Sequence, residues 1–154
     1  MRSTFSNPAL NSVARWAAVT LVFHLAWETA HVRLYTLWSD SDHGYVAWSV
    51  LHCTLGDVVI GTAAFGFAAW LLARFDWPIN RPWGGTVIVI AIGTMFTVWS
   101  EWNNVYRLKL WSYASAMPTI LGIGVSPLLQ WIVLPPLIVL TVRVLDRRRP
   151  ILWK

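Results

Sequence analysis

The chain has 154 residues, of which 56% are apolar and only 12% charged, with 12 Lys and Arg against 7 Asp and Glu for a net charge of +5. A water-soluble domain carries about a quarter charged residues, so this balance excludes an ordinary soluble fold and points to lipid as the solvent. At about 20 residues per spanning helix the length holds four or at most five spans, and it leaves no room for the exposed basic domain that nucleic-acid binding would need.

The first apolar run covers residues 14–38 and is interrupted by ionisable groups in Phe23-His24-Leu25-Ala26-Trp27-Glu28-Thr29-Ala30-His31. A charged side chain at membrane depth costs about 2.5 to 3.5 kcal/mol on insertion scales, so these residues are functional candidates. Thr20, His24, Trp27, Glu28 and His31 follow one another at spacings of 4, 3, 1 and 3, which places them on one stripe of an α-helix. Because the run is polar-interrupted and has no small-residue cleavage site, it reads as a span rather than a removable signal.

A polar connection, Ser39 to Gly44, precedes the second run at 46–73, in which Cys53, Asp57 and Gly61 share a face while His52 lies well round the helix. His43 in that connection is expected to be solvated. The lone Cys53 cannot form an intramolecular disulfide and reads as a small apolar packing residue. After a second connection at 74–82 comes the third run, 84–104, where Thr94, Thr97, Glu101 and Asn104 again form one stripe. A longer connection, 107–119, leads to the fourth run at 121–145, with Ser126 and Gln130 on one face, Trp131 beside them, and Pro135 and Pro136 in the interior. The two prolines free the carbonyls of Trp131 and Ile132 and are expected to kink this helix.

The expected architecture is therefore all-α: one integral membrane four-helix bundle spanning 1–154, with short connections. Arg2, Arg15, Arg74, Arg81, Arg143, Arg147, Arg148, Arg149 and Lys154 fall on one side of it, and only Arg33, Arg107 and Lys109 on the other. By the positive-inside rule both termini face the cytoplasm, and the excess charge is read as topology and anionic-lipid contact in a multi-pass protein, placed in a bacterial inner membrane. Eight tryptophans, Trp16, Trp38, Trp48, Trp70, Trp77, Trp83, Trp111 and Trp153, lie near span ends and are expected in the interfacial belts. Trp27, Trp99, Trp102 and Trp131 lie at the level of the polar residues and are candidate cavity walls.

At 1.5 Å per residue, Glu28 and Asp57 both reach the midplane, whereas His31, His52, Glu101, Ser126 and Gln130 fall in the outer half. Polar groups from all four spans are thus expected to converge on one cavity. Taken singly, Glu28, Asp57 and Glu101 could be interhelical contacts to His24, His31, Arg33 or Arg107, but such contacts return only about 0.6 to 2 kcal/mol each, less than burying the whole layer costs. A carboxyl group in an apolar site can carry a proton near neutral pH and act as a general acid, with a neighbouring histidine relaying the proton. His24 and Glu28, one helical turn apart, suit that role, with Asp57 or Glu101 as the opposing acid.

His24-Leu25-Ala26-Trp27-Glu28 reproduces the H-x-x-x-E element of the emopamil-binding-protein (EXPERA) family of four-helix membrane proteins, which includes sterol Δ8-Δ7 isomerases. Trp131-Ile132-Val133-Leu134-Pro135 likewise resembles that family's W-[LI]-V-L-P on its last helix. The resemblance implies a lipid-accessible cavity in which an acid protonates a carbon–carbon double bond, with His24 and Glu28 in proton transfer and Trp131 stabilising the carbocation. Asp57 stands loosely for the family's second-helix glutamate. Leu128 departs from the pattern, since the isomerases carry asparagine there and Gln130 is the nearest amide, so another isoprenoid or apolar ligand is implied.

The expected function is an acid/base cavity for an apolar, sterol- or isoprenoid-like ligand, with isomerase or cyclase activity and no cofactor. Its catalytic residues are His24, Glu28, Asp57 and Glu101, and its ligand-contacting residues Trp27, His31, Thr97, Trp99, Asn104, Gln130 and Trp131. Membrane lipids, the ligand and a second copy of the chain are the expected partners. The alternative is a transition-metal or haem site, with Glu28-Thr-Ala-His31 as a Glu-x-x-His element and Glu28, His31, His52 and Asp57 as ligands; a di-iron bundle would need a second such element, which the chain lacks. A small proton- or ion-coupled transporter is the third reading, and four spans without an inverted repeat would then have to oligomerise.

Overall fold

A computed structural model describes residues 8–147; Arg2, Arg148, Arg149, Trp153 and Lys154 lie outside the described residues. Helices α1 (Pro8–His31), α3 (His43–Leu71), α5 (Pro82–Trp102) and α6 (Val125–Arg147) form the bundle, with one-turn helices α2 (Leu37–Asp40) and α4 (Trp77–Asn80) in the connections. By length and composition all four long helices can cross a membrane. α1 and α5 each pack on both α3 and α6, which is the up-down-up-down arrangement that short connections favour.

The boundaries follow local chemistry. Asp42 caps α3 by accepting the backbone N–H of Tyr45 at 3.0 Å, so the helix starts a turn earlier than the apolar run, at His43, whose side chain is exposed. Pro82 opens α5, a position where its missing N–H costs nothing. The first run stops as an α-helix at His31 and continues as a 3-10 turn, Val32–Leu34. α5 instead runs into a π-helical turn, Asn103–Arg107, closed by Leu108 N–H to Asn103 O at 2.8 Å. α6 continues as a helix through Pro135 and Pro136.

The two ends of the bundle differ. At one, Trp16, Phe65 and Trp77 pack with ring centroids 5.2 to 5.4 Å apart, and the indole N–H groups of Trp16 and Trp77 donate to the carbonyls of Gly61 and Phe65. Trp16 and Trp77 are 1% and 0% exposed, so they are core and not interfacial belt as their sequence positions suggest. Trp77 is carried inward by α4, and it fits only because Gly85 on α5 has no Cβ to meet its ring. Trp38, Trp48, Trp70 and Trp83 are exposed near span ends, as belt residues would be. This aromatic end also carries the Arg15–Asp146 ion pair, 2.9 Å, between α1 and α6. In the nearby connection Arg74 hydrogen-bonds Asp76 at 2.7 Å and holds its carboxyl below the usual carboxylate range.

At the other, polar end, the α5–α6 connection folds back across the bundle. Thr36 N–H donates to Ser112 O at 3.0 Å and Ala114 N–H to Leu34 O at 2.9 Å, pinning this strap to the end of α1. It then forms a small hairpin, Thr119–Ile120 with Ile123–Gly124, before α6.

α3 ends in a Schellman motif, with Arg74 N–H on Ala69 O at 2.8 Å and Ala73 N–H on Trp70 O at 3.2 Å. Ala73 therefore sits at φ +54°, where glycine is the favoured residue. Ala73→Gly is expected to stabilise the protein by about 1 kcal/mol, read as a higher midpoint of thermal unfolding in detergent.

Candidate functional site

The site is built on Gln130 of α6. Its side-chain nitrogen lies 3.0 Å from Glu28 Oε1, 2.8 Å from Asp57 Oδ2 and 2.9 Å from His24 Nδ1, so one amide joins α1, α3 and α6. An amide nitrogen has two hydrogens for these three neighbours. With both given to the carboxyl oxygens, the 3.0 Å contact between His24 Nδ1 and Asp57 Oδ2 requires a hydrogen of its own, carried on the imidazole or on the carboxyl group. A proton that two groups can hold is what acid–base chemistry at this spot would use.

Glu28 is also bound from its other oxygen. His31 Nε2 lies 3.1 Å from Oε2, and His31 Nδ1 lies 3.0 Å from Ser126 Oγ, which fixes the ring between α1 and α6. Glu101 on α5 is held differently: the phenol of Tyr35 donates to Oε1 at 3.3 Å and that of Tyr113 to Oε2 at 2.5 Å. Burial and the adjoining Glu101 carboxyl push the Tyr113 phenol well above its ordinary value, so it remains a donor. Both Glu101 oxygens thus act as acceptors.

These groups border a cavity of about 320 Å³, within the range of small-molecule sites. Glu28, Asp57, Glu101, His31, Thr97, Asn104, Gln130 and Trp131 all line it, as do Tyr35, Cys53 and Trp111. His52, exposed and beside Trp48, lines it together with the exposed Tyr45 and Phe96.

His24 is fully buried and does not line the cavity; it lies behind Asp57 and Gln130, against Trp131 with ring centroids 5.0 Å apart. Its contact with that cavity wall is the 3.0 Å bond to Asp57 and the 2.9 Å approach to Gln130. Trp131 in turn is seated on glycine, because a Cβ on Gly93 would overlap its indole ring.

Two expected ligand contacts lie elsewhere. Trp99 is 57% exposed on the outside of α5, beside Phe96, and Trp27 packs half-buried against the apolar core, so neither lines the cavity. Trp99 matches the polar layer in depth but not in helical face, whereas Trp27 shares the stripe of His24 and His31 and its ring still packs against the apolar core. Tyr35 follows Glu28 and His31 at the next step of the same stripe, a signal present in the sequence. Tyr113 carries no such signal, because its place depends on the strap. Among the described residues no three His, Cys, Asp or Glu side chains are arranged to hold a metal ion; the His52 ring lies beside Trp48, with centroids 5.9 Å apart.

Compared with protein families, with curated proteins and with solved structures, the chain matches none.

Proposed function

We propose that this is a multi-pass membrane protein, with both ends of the chain on the cytoplasmic side, that takes an apolar sterol- or isoprenoid-like ligand into the cavity and shifts a double bond by proton transfer. The observation that carries this reading is the sharing of Gln130 by Glu28, Asp57 and His24 at the wall of a cavity that is otherwise largely apolar and is bordered by exposed residues of α3 and α5. The likeness of His24 to Glu28 and of Trp131 to Pro135 to the EXPERA pattern belongs to the same reading.

In the reaction proposed, Glu28 gives a proton to one carbon of the double bond. The cation left on the neighbouring carbon is stabilised by the face of Trp131 and the Glu101 carboxylate. An adjacent C–H then loses its proton to Asp57, and that proton passes to the neighbouring Glu28 carboxylate before the next turnover, so the net change is isomerisation alone. His24 and His31 orient the two acids.

The test is to extract the purified protein, identify the retained molecule by mass spectrometry, and assay its double-bond isomers. Glu28→Gln is expected to keep the fold and the retained molecule while lowering turnover by at least about a hundredfold, the usual weight of a general acid. A Glu28→Gln protein with full turnover ends this mechanism.

A further inference from the structure

A second cavity, about 470 Å³, lies at the polar end between α2, the strap and the first turn of α3. It shares Leu37, Tyr45, Leu110 and Trp111 with the acid-lined cavity, so the two adjoin at these four side chains. Their chemistry is complementary. The inner chamber is bordered by Glu28, Asp57 and Glu101 and by no Lys or Arg, whereas the outer one is lined by Lys109.

Lys109 has no ion pair among the described residues, and the buried indole N–H of Trp111 has no hydrogen-bond partner there. Both are donors. Asp40, the one acid among the residues lining the outer chamber, already accepts from Ser39 Oγ at 2.7 Å. Lys109 also sits at φ +54°, just past the π turn that ends α5, a position where glycine would be less strained. A lysine is retained where the backbone alone favours glycine.

We propose that the two chambers form one tract for an amphiphile with an anionic oxygen head, a phosphate or a carboxylate, bound by Lys109 and the Trp111 N–H, with its apolar chain running inward to Glu28 and Trp131. This rests on the apolar-ligand reading of the inner cavity. The orientation follows from charge, because the three acids of the inner chamber repel an anion while in the outer one Lys109 offsets Asp40. From Tyr45, shared by both chambers, to Asp57 the tract extends about 18 Å along α3 at 1.5 Å per residue, which places the reacting bond well along the chain from the head.

The full-length protein in detergent is titrated with farnesyl phosphate, farnesol and inorganic phosphate, and binding is followed by tryptophan fluorescence and calorimetry. Farnesyl phosphate is expected to bind at least about tenfold more tightly than farnesol, the worth of one charge-assisted contact. Lys109→Gly should raise the unfolding temperature by relieving the backbone while bringing the two affinities together, and Lys109→Arg should restore the preference. Equal binding of farnesol and farnesyl phosphate by the wild type overturns the head-group assignment and leaves the inner cavity reading intact. Failure of both to bind overturns that reading as well. Lys109-dependent binding of inorganic phosphate alone, unaffected by farnesyl phosphate, would mean a free-anion site and overturn the single tract.

Discussion

Gln130→Leu is expected to destabilise the protein by about 2 to 4 kcal/mol, far more than an ordinary interhelical polar contact returns. Leucine keeps most of the volume, so little of the loss comes from a cavity. The loss comes from the neighbours: Glu28 Oε1, Asp57 Oδ2 and His24 Nδ1 all face the amide nitrogen within 3.0 Å, with Glu28 and His24 buried and Asp57 half-buried. Removing the shared donor leaves acceptors uncompensated, which costs about 1 to 3 kcal/mol per group. Unfolding in detergent by heat or denaturant gives the measurement, and a double-mutant cycle with Asp57→Asn separates the shared part. A loss below about 0.5 kcal/mol would mean that the three groups do not depend on Gln130.

Gly93→Ala is expected to cost about 1 to 3 kcal/mol and also to disturb the site. The added methyl would occupy the position of the Trp131 ring, which is 2% exposed and backed by His24, so the ring has nowhere to withdraw. α5 must then move away from α6, or Trp131 must press on His24 and through it on Asp57. Gly66→Ala on α3 is the control, because nothing lies within 4 Å of a Cβ there and alanine is the better helix former by about 1 kcal/mol. Trp131→Phe in the Gly93→Ala background should recover most of the lost stability. If Gly93→Ala and Gly66→Ala behave alike, Trp131 is not seated as described.

Much of this was legible in the sequence because a helix imposes its period. The four apolar runs matched α1, α3, α5 and α6 to within several residues, with the largest differences at the start of α1 and the end of the first run, where the chain turns 3-10 after His31. The stripes on α1 and α5 brought Glu28, His31, Thr97, Glu101 and Asn104 to one cavity, as their spacing requires. Depth alone misled where rotation about the axis decides. Trp99 shares the level of the site but points outward, and Trp16 lies near a span end yet turns into the core. Trp77 was not legible, since a one-turn helix places it opposite Gly85. The same holds for Tyr113, which reaches Glu101 only because the strap is bonded to residues near the end of α1.

The bundle is thus solid at one end and hollow at the other. The Trp16, Phe65 and Trp77 rings fill the space among the helices, so relative motion of α3 and α5 there would open a void in a close-packed core. Around Tyr45, Ser49 and Asn104 the same two helices border empty space and resist separation far less. Under the proposed function, the aromatic rings are the pivot of the bundle, and a ligand enters where the helices border the cavity.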